Sequence, residues 1–139
     1  MFHWLEVRAF CHATEDEDRV VAAVRTVLPE GETRRETVQG HFGNPLVALT
    51  VRTETAKEIR EAWRRIAEAF GKEEVLRDLE QRLDEDAVYH LRIDKQRAYL
   101  GTIERAGPGD VIDVRAKVAA FPNKPEIAAR VAREFVEGL

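Results

Sequence analysis

The sequence predicts one α+β domain over residues 1–139, with an antiparallel or mixed sheet and helices on one face of that sheet. Three observations support this fold class. Some segments alternate apolar and polar residues with the period of a strand, others repeat apolar residues with the period of a helix, and tight turns join neighbouring strands. Because tight turns favour antiparallel pairing, we expect the helices to cover the apolar face of such a sheet. The predicted order of elements is β-α-β-β-α-α-β-β-β-α.

The individual elements follow from local patterns. In the first strand, Leu5 and its alternate neighbours are apolar, whereas Trp4 and its alternate neighbours form a mixed outer face. Thr14 and Glu17 have the spacing of a capping box, which predicts the start of the first helix, and Gly71 stands where the second helix should end. The predicted strands are residues 2–12, 33–38, 46–52, 87–94, 98–103 and 111–119. The predicted helices are residues 15–28, 54–70, 72–83 and 126–137.

Composition limits the class of protein. The chain of 139 residues is 44% hydrophobic and 35% charged, which is typical of a globular protein with one core and a charged surface. No run approaches the roughly 18 apolar residues that a transmembrane helix needs. The first residues lack the pattern of a signal peptide, and the only cysteine, Cys11, excludes an internal disulfide. We therefore expect a cytoplasmic protein.

Motifs for catalysis and metal binding are absent from the sequence. No histidine or cysteine pair has the spacing of a metal site, and Cys11 falls on the predicted core face of its strand. The acids of residues 15–18 are explained by the helix dipole at the start of the first helix. No phosphate-binding loop, dinucleotide fingerprint or nucleophile motif occurs. We predict that the protein is not an enzyme and uses neither metal nor cofactor.

The loop of residues 39–45 joins the second and third predicted strands and combines two glycines with His41, Phe42, Asn44 and a proline. Glycine allows positive φ and lets another group approach the backbone, and proline fixes the start of the next strand. We interpret the glycines as necessary for the turn, and His41 and Asn44 as the residues available for contact.

Charge is unevenly distributed along the chain. The formal net charge is −4, yet residues 87–125 carry seven bases and only four acids, whereas residues 54–86 carry eleven acids and seven bases. Bases on a strand face and at turns favour contact with phosphate, although an ordinary solvated sheet face explains them equally well. Trp4, Phe10 and Phe42 are candidates for base stacking, with core packing as the alternative. The predicted RNA-binding residues are Arg34, Arg35, His41, Asn44, Lys95, Arg97, Arg115, Lys117 and Lys124.

Three motifs resemble a known family. They are FCHATEDED at residues 10–18, GHFGNP at residues 40–45 and LRIDKQRAYLG at residues 91–101. In this order they are similar to a family of small archaeal proteins described as RNA-binding and as predicted exosome subunits. The resemblance covers nearly the whole chain and implies a fold similar to the large-subunit ribosomal protein that binds 5S RNA. Phe42 departs from the family pattern, in which many members have a second histidine.

The leading hypothesis is a non-catalytic protein that binds structured RNA, accessory to RNA processing or to the exosome. The alternative is a protein-interaction module of an RNA-processing complex, in which the acidic helices of residues 54–86 or an exposed strand edge dock a partner. A third, weaker hypothesis makes His12 and His41 an acid/base pair of an enzyme. The oligomeric state is left open by the sequence.

Overall fold

One antiparallel sheet organises the molecule. A computed structural model describes residues 1–40 and 43–139. The strands are β1 (Phe2–Cys11), β2 (Glu32–Gln39), β3 (Pro45–Thr53), β4 (Val88–Asp94) and β5 (Val111–Val118). Their order across the sheet is β2-β3-β1-β5-β4, and every neighbouring pair is antiparallel. The predicted α+β fold class is thereby confirmed.

In the described part of the chain, five helices and one short turn of 3₁₀ helix accompany the sheet. The helices are α1 (Glu17–Val27), α2 (Ala56–Phe70), α3 (Lys72–Arg77), α4 (Lys95–Tyr99) and α5 (Pro125–Glu137), and the 3₁₀ turn is Glu80–Arg82. Within residues 1–40 and 43–139, no helix is both long and apolar enough to cross a membrane.

The hydrophobic core lies between one face of the sheet and the helices. Leu5 and Val7 of the central strand β1 are fully buried, as their alternation predicted, together with Val24 of α1 and Ile66 of α2. Trp63 of α2 lies within this core, and its ring centroid is 5.0 Å from that of Phe2 and 4.9 Å from that of Tyr89. Such aromatic pairs add about 0.5–1.5 kcal/mol each beyond the area that they bury. The core therefore fixes which face of the sheet is left uncovered.

The opposite face of the sheet has no helix over it in the part of the chain that the structure describes, and we call it the helix-free face. Strand register arranges its side chains in rows that run across the strands. One row is Arg34, Thr50, Arg8, Asp113 and Arg92, from β2 to β4. The adjacent row is Glu32, Arg52, Glu6, Arg115 and His90. Residues far apart in the sequence thus become neighbours on one surface.

The predicted strand over residues 98–103 and the hairpin tip at residues 95–97 are wrong. Asp94 accepts a hydrogen bond at 2.8 Å from the backbone N–H of Arg97, which caps the helix α4 in place of a turn. Gly101, with φ of 90°, follows that helix, and only isolated pairing with β4 resumes at Arg105. Five helical residues are too few to show a helical period, so their apolar side chains resembled a strand.

Two helix boundaries also differ from their prediction. The cap of α1 is Asp16, whose Oδ1 accepts from the N–H of Asp18 at 3.0 Å, so Thr14 and Glu17 do not form the expected capping box. The helix predicted over residues 72–83 divides into α3 and the 3₁₀ turn. In contrast, Gly71 has φ of 86° at the end of α2, and this positive φ agrees with the predicted helix stop.

Candidate functional site

Two arginines cover the ring of Trp4 on the helix-free face, near the start of β1. The Cζ atoms of Arg52 and Arg115 lie 4.6 Å and 5.7 Å from the ring centroid. Glu6, two residues after Trp4 on the same face of β1, joins both arginines. Its Oε1 accepts from Arg52 Nη1 at 2.8 Å, and its Oε2 lies 3.9 Å from Arg115 Nη1. Strand alternation and register therefore build a compact group of one aromatic ring, one carboxylate and two guanidinium groups.

A second arginine–aromatic pair lies at the other end of β1. The Cζ atom of Arg8 is 4.9 Å from the ring centroid of Phe10. Arg34 of β2 lies in the same cross-strand row as Arg8, and Thr50 of β3 separates the two arginines. Among residues 1–40 and 43–139, neither Arg8 nor Arg34 forms an ion pair. Two guanidinium groups on this face are therefore available to an anionic ligand.

Unused hydrogen-bond donors are found in the same place. The Nε atoms of Arg8 and Arg115 are shielded from solvent and have no acceptor among the described residues. A shielded polar group without a partner costs about 1–3 kcal/mol, and most such groups in proteins are satisfied. These shielded Nε atoms are a local cost of packing the two guanidinium groups against the rings of Phe10 and Trp4.

A groove of about 820 Å³ extends over β1, β2 and β3 and reaches the start of α2. Its lining combines both signs of charge and includes Arg8, Arg34, Arg52, Arg115, Glu6 and Glu58. The groove thus contains Arg8 and Arg34, which have no ion pair within residues 1–40 and 43–139, as well as the two arginines over Trp4.

The helix-free face as a whole is only weakly cationic. Its cationic side chains are Arg8, Arg34, Arg52, Arg92, Arg115 and Lys117, and its carboxylates are Glu6, Glu32, Glu36, Asp94 and Asp113. Some of these charges neutralise each other, since Arg92 Nε is 3.8 Å from Asp113 Oδ1. The face therefore presents alternating charge and aromatic rings, and not a continuous basic patch.

The structure brings three of the predicted site residues together on this face. Arg34 belongs to β2, and Arg115 and Lys117 are alternate residues of β5. The Nζ atom of Lys117 donates to the backbone oxygen of Asp86, and its neighbour across β1 is Trp4.

Three other predicted residues lie elsewhere. Arg35 is on the side of β2 that faces the helices, and its Nε is 3.0 Å from Glu17 Oε2. Arg97 belongs to α4, and its Nε is 3.3 Å from Glu104 Oε2. Lys124 is exposed at the start of α5. Arg97 and Lys124 do not share a surface with the helix-free face, whereas Arg35, although paired with Glu17, also lines the groove over that face.

Lys95 is only 5% exposed and forms the centre of a buried ion-pair network. Its Nζ donates to Phe10 O at 2.6 Å, to Glu15 Oε1 at 2.9 Å and to Asp110 Oδ2 at 3.0 Å. All three protons of the ammonium group are used inside the protein. The motifs at residues 10–18 and 91–101 meet in this network, which ties the end of β1 to α4.

Next to Lys95, His12, Glu15 and Asp110 have ligand atoms within 4.8 Å of one another, and His12 Nε2 is 3.4 Å from Asp110 Oδ1. These residue types can bind a metal ion. The Lys95 ammonium already lies between the two carboxylates, and it would repel a cation there. We therefore interpret the group as a structural ion-pair network.

The loop between β2 and β3 is described only in part, because His41 and Phe42 lie outside the described residues. Gly40 N donates to Asn44 O at 2.6 Å, and a Cβ on Gly40 would lie 2.7 Å from that oxygen. Gly43 has φ of 79°, a value that favours glycine. Both glycines are therefore required by the turn, whereas Asn44 is exposed.

Sequence reasoning missed Arg8 and Arg52 as members of the site. The alternation of β1 already placed Arg8 on the face of Trp4 and Phe10, so this residue could have been found from the sequence. Arg52 could not, because its contact with Trp4 depends on the pairing of β1 with β3.

Known proteins resemble this chain over nearly its whole length. Residues 4–118 match the model of a protein family described as RNA binding. The chain is 34% identical to "RNA-binding protein PAB1135" of Pyrococcus abyssi, over 98% of this chain and 94% of that protein. A solved structure from Archaeoglobus fulgidus is 39% identical, with a TM-score of 0.87 over 97% of this chain and 99% of the other. Another, from Methanothermobacter thermautotrophicus, is 34% identical, with a TM-score of 0.84 over 98% of both chains.

Proposed function

This chain belongs to the family described as RNA binding, and on that basis we propose that it binds RNA on the helix-free face of its sheet. The observation that carries the proposal is the set of arginines on this face, where Arg8 and Arg34 have no ion pair among the described residues and two further arginines lie over the ring of Trp4. A guanidinium group can bind phosphate with two parallel hydrogen bonds, and its planar face can stack on a base. The same face therefore offers both kinds of contact that RNA needs.

The proposed interface differs from the set predicted from the sequence. Arg34, Arg115 and Lys117 remain in it, and Arg8 and Arg52 join them. Lys95 is left out because its ammonium is buried and fully bonded. We further propose that residues 1–139 act as one RNA-binding unit, since β1 contributes to the core and to the interface at once.

A double variant tests the position of the interface. Arg8→Ala with Arg34→Ala should weaken binding of a fluorescent RNA of about 20 nucleotides by at least about tenfold, because it removes two charge-assisted contacts. The measurement is fluorescence anisotropy at about 50 mM and about 200 mM salt. Circular dichroism shows whether the variant is folded.

The matched control removes the same charge from the helical side. It combines Arg19→Ala on α1 with Arg77→Ala on α3, whose side chains are 66% and 72% exposed. Equal losses of affinity in both double variants would show that only the net charge matters and would contradict the proposed face. Absence of RNA binding by the unmodified protein at low salt would contradict the function itself.

A narrower role in RNA processing, including the exosome association implied by the sequence resemblance, is our second proposal. Two exposed features support a protein partner. β2 is an edge strand of eight residues, and the side chain of Phe121 is 96% exposed. Affinity purification from an archaeal lysate after nuclease treatment tests it, because a partner held only through RNA is lost under those conditions. If no processing protein remains bound, this second proposal is wrong and the first is unaffected.

A further inference from the structure

We infer that the RNA segment bound by the helix-free face is unpaired, and that its bases stack on the guanidinium planes that cover Trp4 and Phe10. This inference rests on the proposed RNA-binding function and narrows it to single strands and loops. A fully paired helix would be a poor ligand.

The first support is the geometry of the arginines. Arg52 and Arg115 lie over the Trp4 ring and are still 37% and 39% exposed, so each is held between the ring and the solvent. Proteins that recognise unpaired RNA stack its bases on aromatic rings and on arginine planes. Each such stacking contact contributes about 1–3 kcal/mol. Glu6 accepts from Arg52 and lies near Arg115, so its carboxylate opposes phosphate contact at these two arginines while their exposed planes remain open to stacking.

The second support is the balance of charge. Six cationic side chains share this face with five carboxylates. Binding to a regular double helix depends mainly on phosphate contacts, because the deep groove of A-form RNA hides the base edges. A face on which only two arginines lack an ion pair among the described residues neutralises few phosphates. Useful affinity must therefore come from bases, and only unpaired bases expose their planes.

The inference also predicts how binding depends on salt. If about two or three phosphates are neutralised, the slope of log affinity against log salt concentration should lie between about −1.4 and −2.1 for a single strand. This dependence is shallower than that of a protein with a continuous basic patch. It follows from the same alternation of arginines and carboxylates.

Three RNA ligands test the inference directly. They are a single strand, the same strand in a complete duplex, and a hairpin that carries the same sequence in its loop. We expect the single strand and the loop to bind at least about tenfold more tightly than the duplex, which corresponds to one stacking contact. Binding is measured by fluorescence anisotropy at one salt concentration.

Tryptophan fluorescence gives a second readout. The chain has two tryptophans, and Trp63 is fully buried in the core, so quenching by RNA reports on Trp4. Trp4→Phe should bind the single strand but lose the quenching. Trp4→Leu should lose at least about fivefold in affinity for the single strand and little for the duplex. Phe121→Leu removes an exposed aromatic ring elsewhere and should change neither the RNA affinity nor the fluorescence quenching.

The possible outcomes separate the two proposals. Equal affinity for duplex and single strand, lost on Arg8→Ala with Arg34→Ala, would overturn this inference and leave the RNA-binding face intact. A folded Trp4→Leu variant with unchanged affinity for the single strand would also overturn it. No binding to any of the three ligands would overturn the proposed function, and this inference with it.

Discussion

The helix-free face and the Lys95 network hold cationic side chains in opposite ways. Arg8 and Arg34 lie on an open surface without ion pairs among the described residues, whereas Lys95 is buried and donates all three of its protons inside the protein. In the sequence, Lys95 and Arg34 were equally good candidates for binding phosphate. The difference shows that positive charge alone does not make a side chain a candidate for ligand binding. The side chain must also have hydrogen-bond donors that are not already used inside the protein.

The largest expected loss of stability follows from substitution of Lys95. Lys95→Met leaves the carboxylates of Glu15 and Asp110 facing each other, and breaking a buried ion pair costs about 3–5 kcal/mol. Because these carboxylates are 25% and 46% exposed, we expect the free energy of unfolding to fall by about 2–3 kcal/mol. Urea denaturation measures this change. Lys57→Met, at an exposed position of α2, should have an effect below about 0.5 kcal/mol.

The RNA affinity of the Lys95→Met variant separates the two regions. At a temperature where the variant is folded, its affinity should remain within about twofold of the unmodified protein. A large loss of affinity in the folded variant would place Lys95 in the interface and remove the contrast between the two regions.

A smaller loss of stability is expected from substitution of Asp78, whose carboxylate binds two more arginines inside the protein. Its Oδ2 accepts from Arg82 Nε at 2.8 Å and from Arg105 Nη1 at 2.7 Å. Burial raises the pKa of Asp78, but the hydrogen bonds from Arg105 and Arg82 outweigh it and leave the pKa below its usual value. Asp78→Asn should lower the free energy of unfolding at neutral pH by about 1–2 kcal/mol, without loss of RNA affinity.

The pH dependence of this contribution has a definite sign. Since the pKa of Asp78 is lower in the folded state, its stabilising effect is complete above the unfolded pKa of about 3.9 and is lost as the pH falls through the lowered folded value. The difference in stability between the protein and Asp78→Asn should therefore shrink below about pH 4. Denaturation curves at neutral and acidic pH measure it, with Glu73→Gln on the exposed side of α3 as the control. A difference that is constant with pH would show that the carboxylate charge is not what stabilises this site.

The smallest effect on stability is expected at Glu6, although it matters most for the interface. Glu6→Gln removes the carboxylate that competes with phosphate for Arg52 and Arg115. We expect RNA affinity to rise by about threefold to tenfold and the free energy of unfolding to fall by no more than about 1 kcal/mol. Glu36→Gln removes the same charge from the same face and should raise affinity less. If both variants gain equally, release of the two arginines is not the cause.

Local patterns predicted most of the fold. The alternation of apolar and polar residues in β1 and β5 identified their buried faces correctly, because this pattern is visible within each strand and does not depend on distant residues. The helix over residues 95–99 was missed because its length is barely more than one turn. The candidate site was predicted only in part, since its members meet through strand pairing. Glu15, for example, binds Lys95 from 80 positions away in the sequence.

The alternation of core and surface residues along β1 determines which substitutions and insertions the protein can tolerate. Its odd positions Leu5, Val7, Ala9 and Cys11 belong to the core, and its even positions Trp4, Glu6, Arg8 and Phe10 belong to the surface. Substitution at the even positions should therefore change the proposed RNA-binding surface with less cost to folding than substitution at the odd positions. Inserting one residue would exchange the two sets and destroy both. One β-strand thus carries the core and the proposed RNA-binding surface on alternate residues.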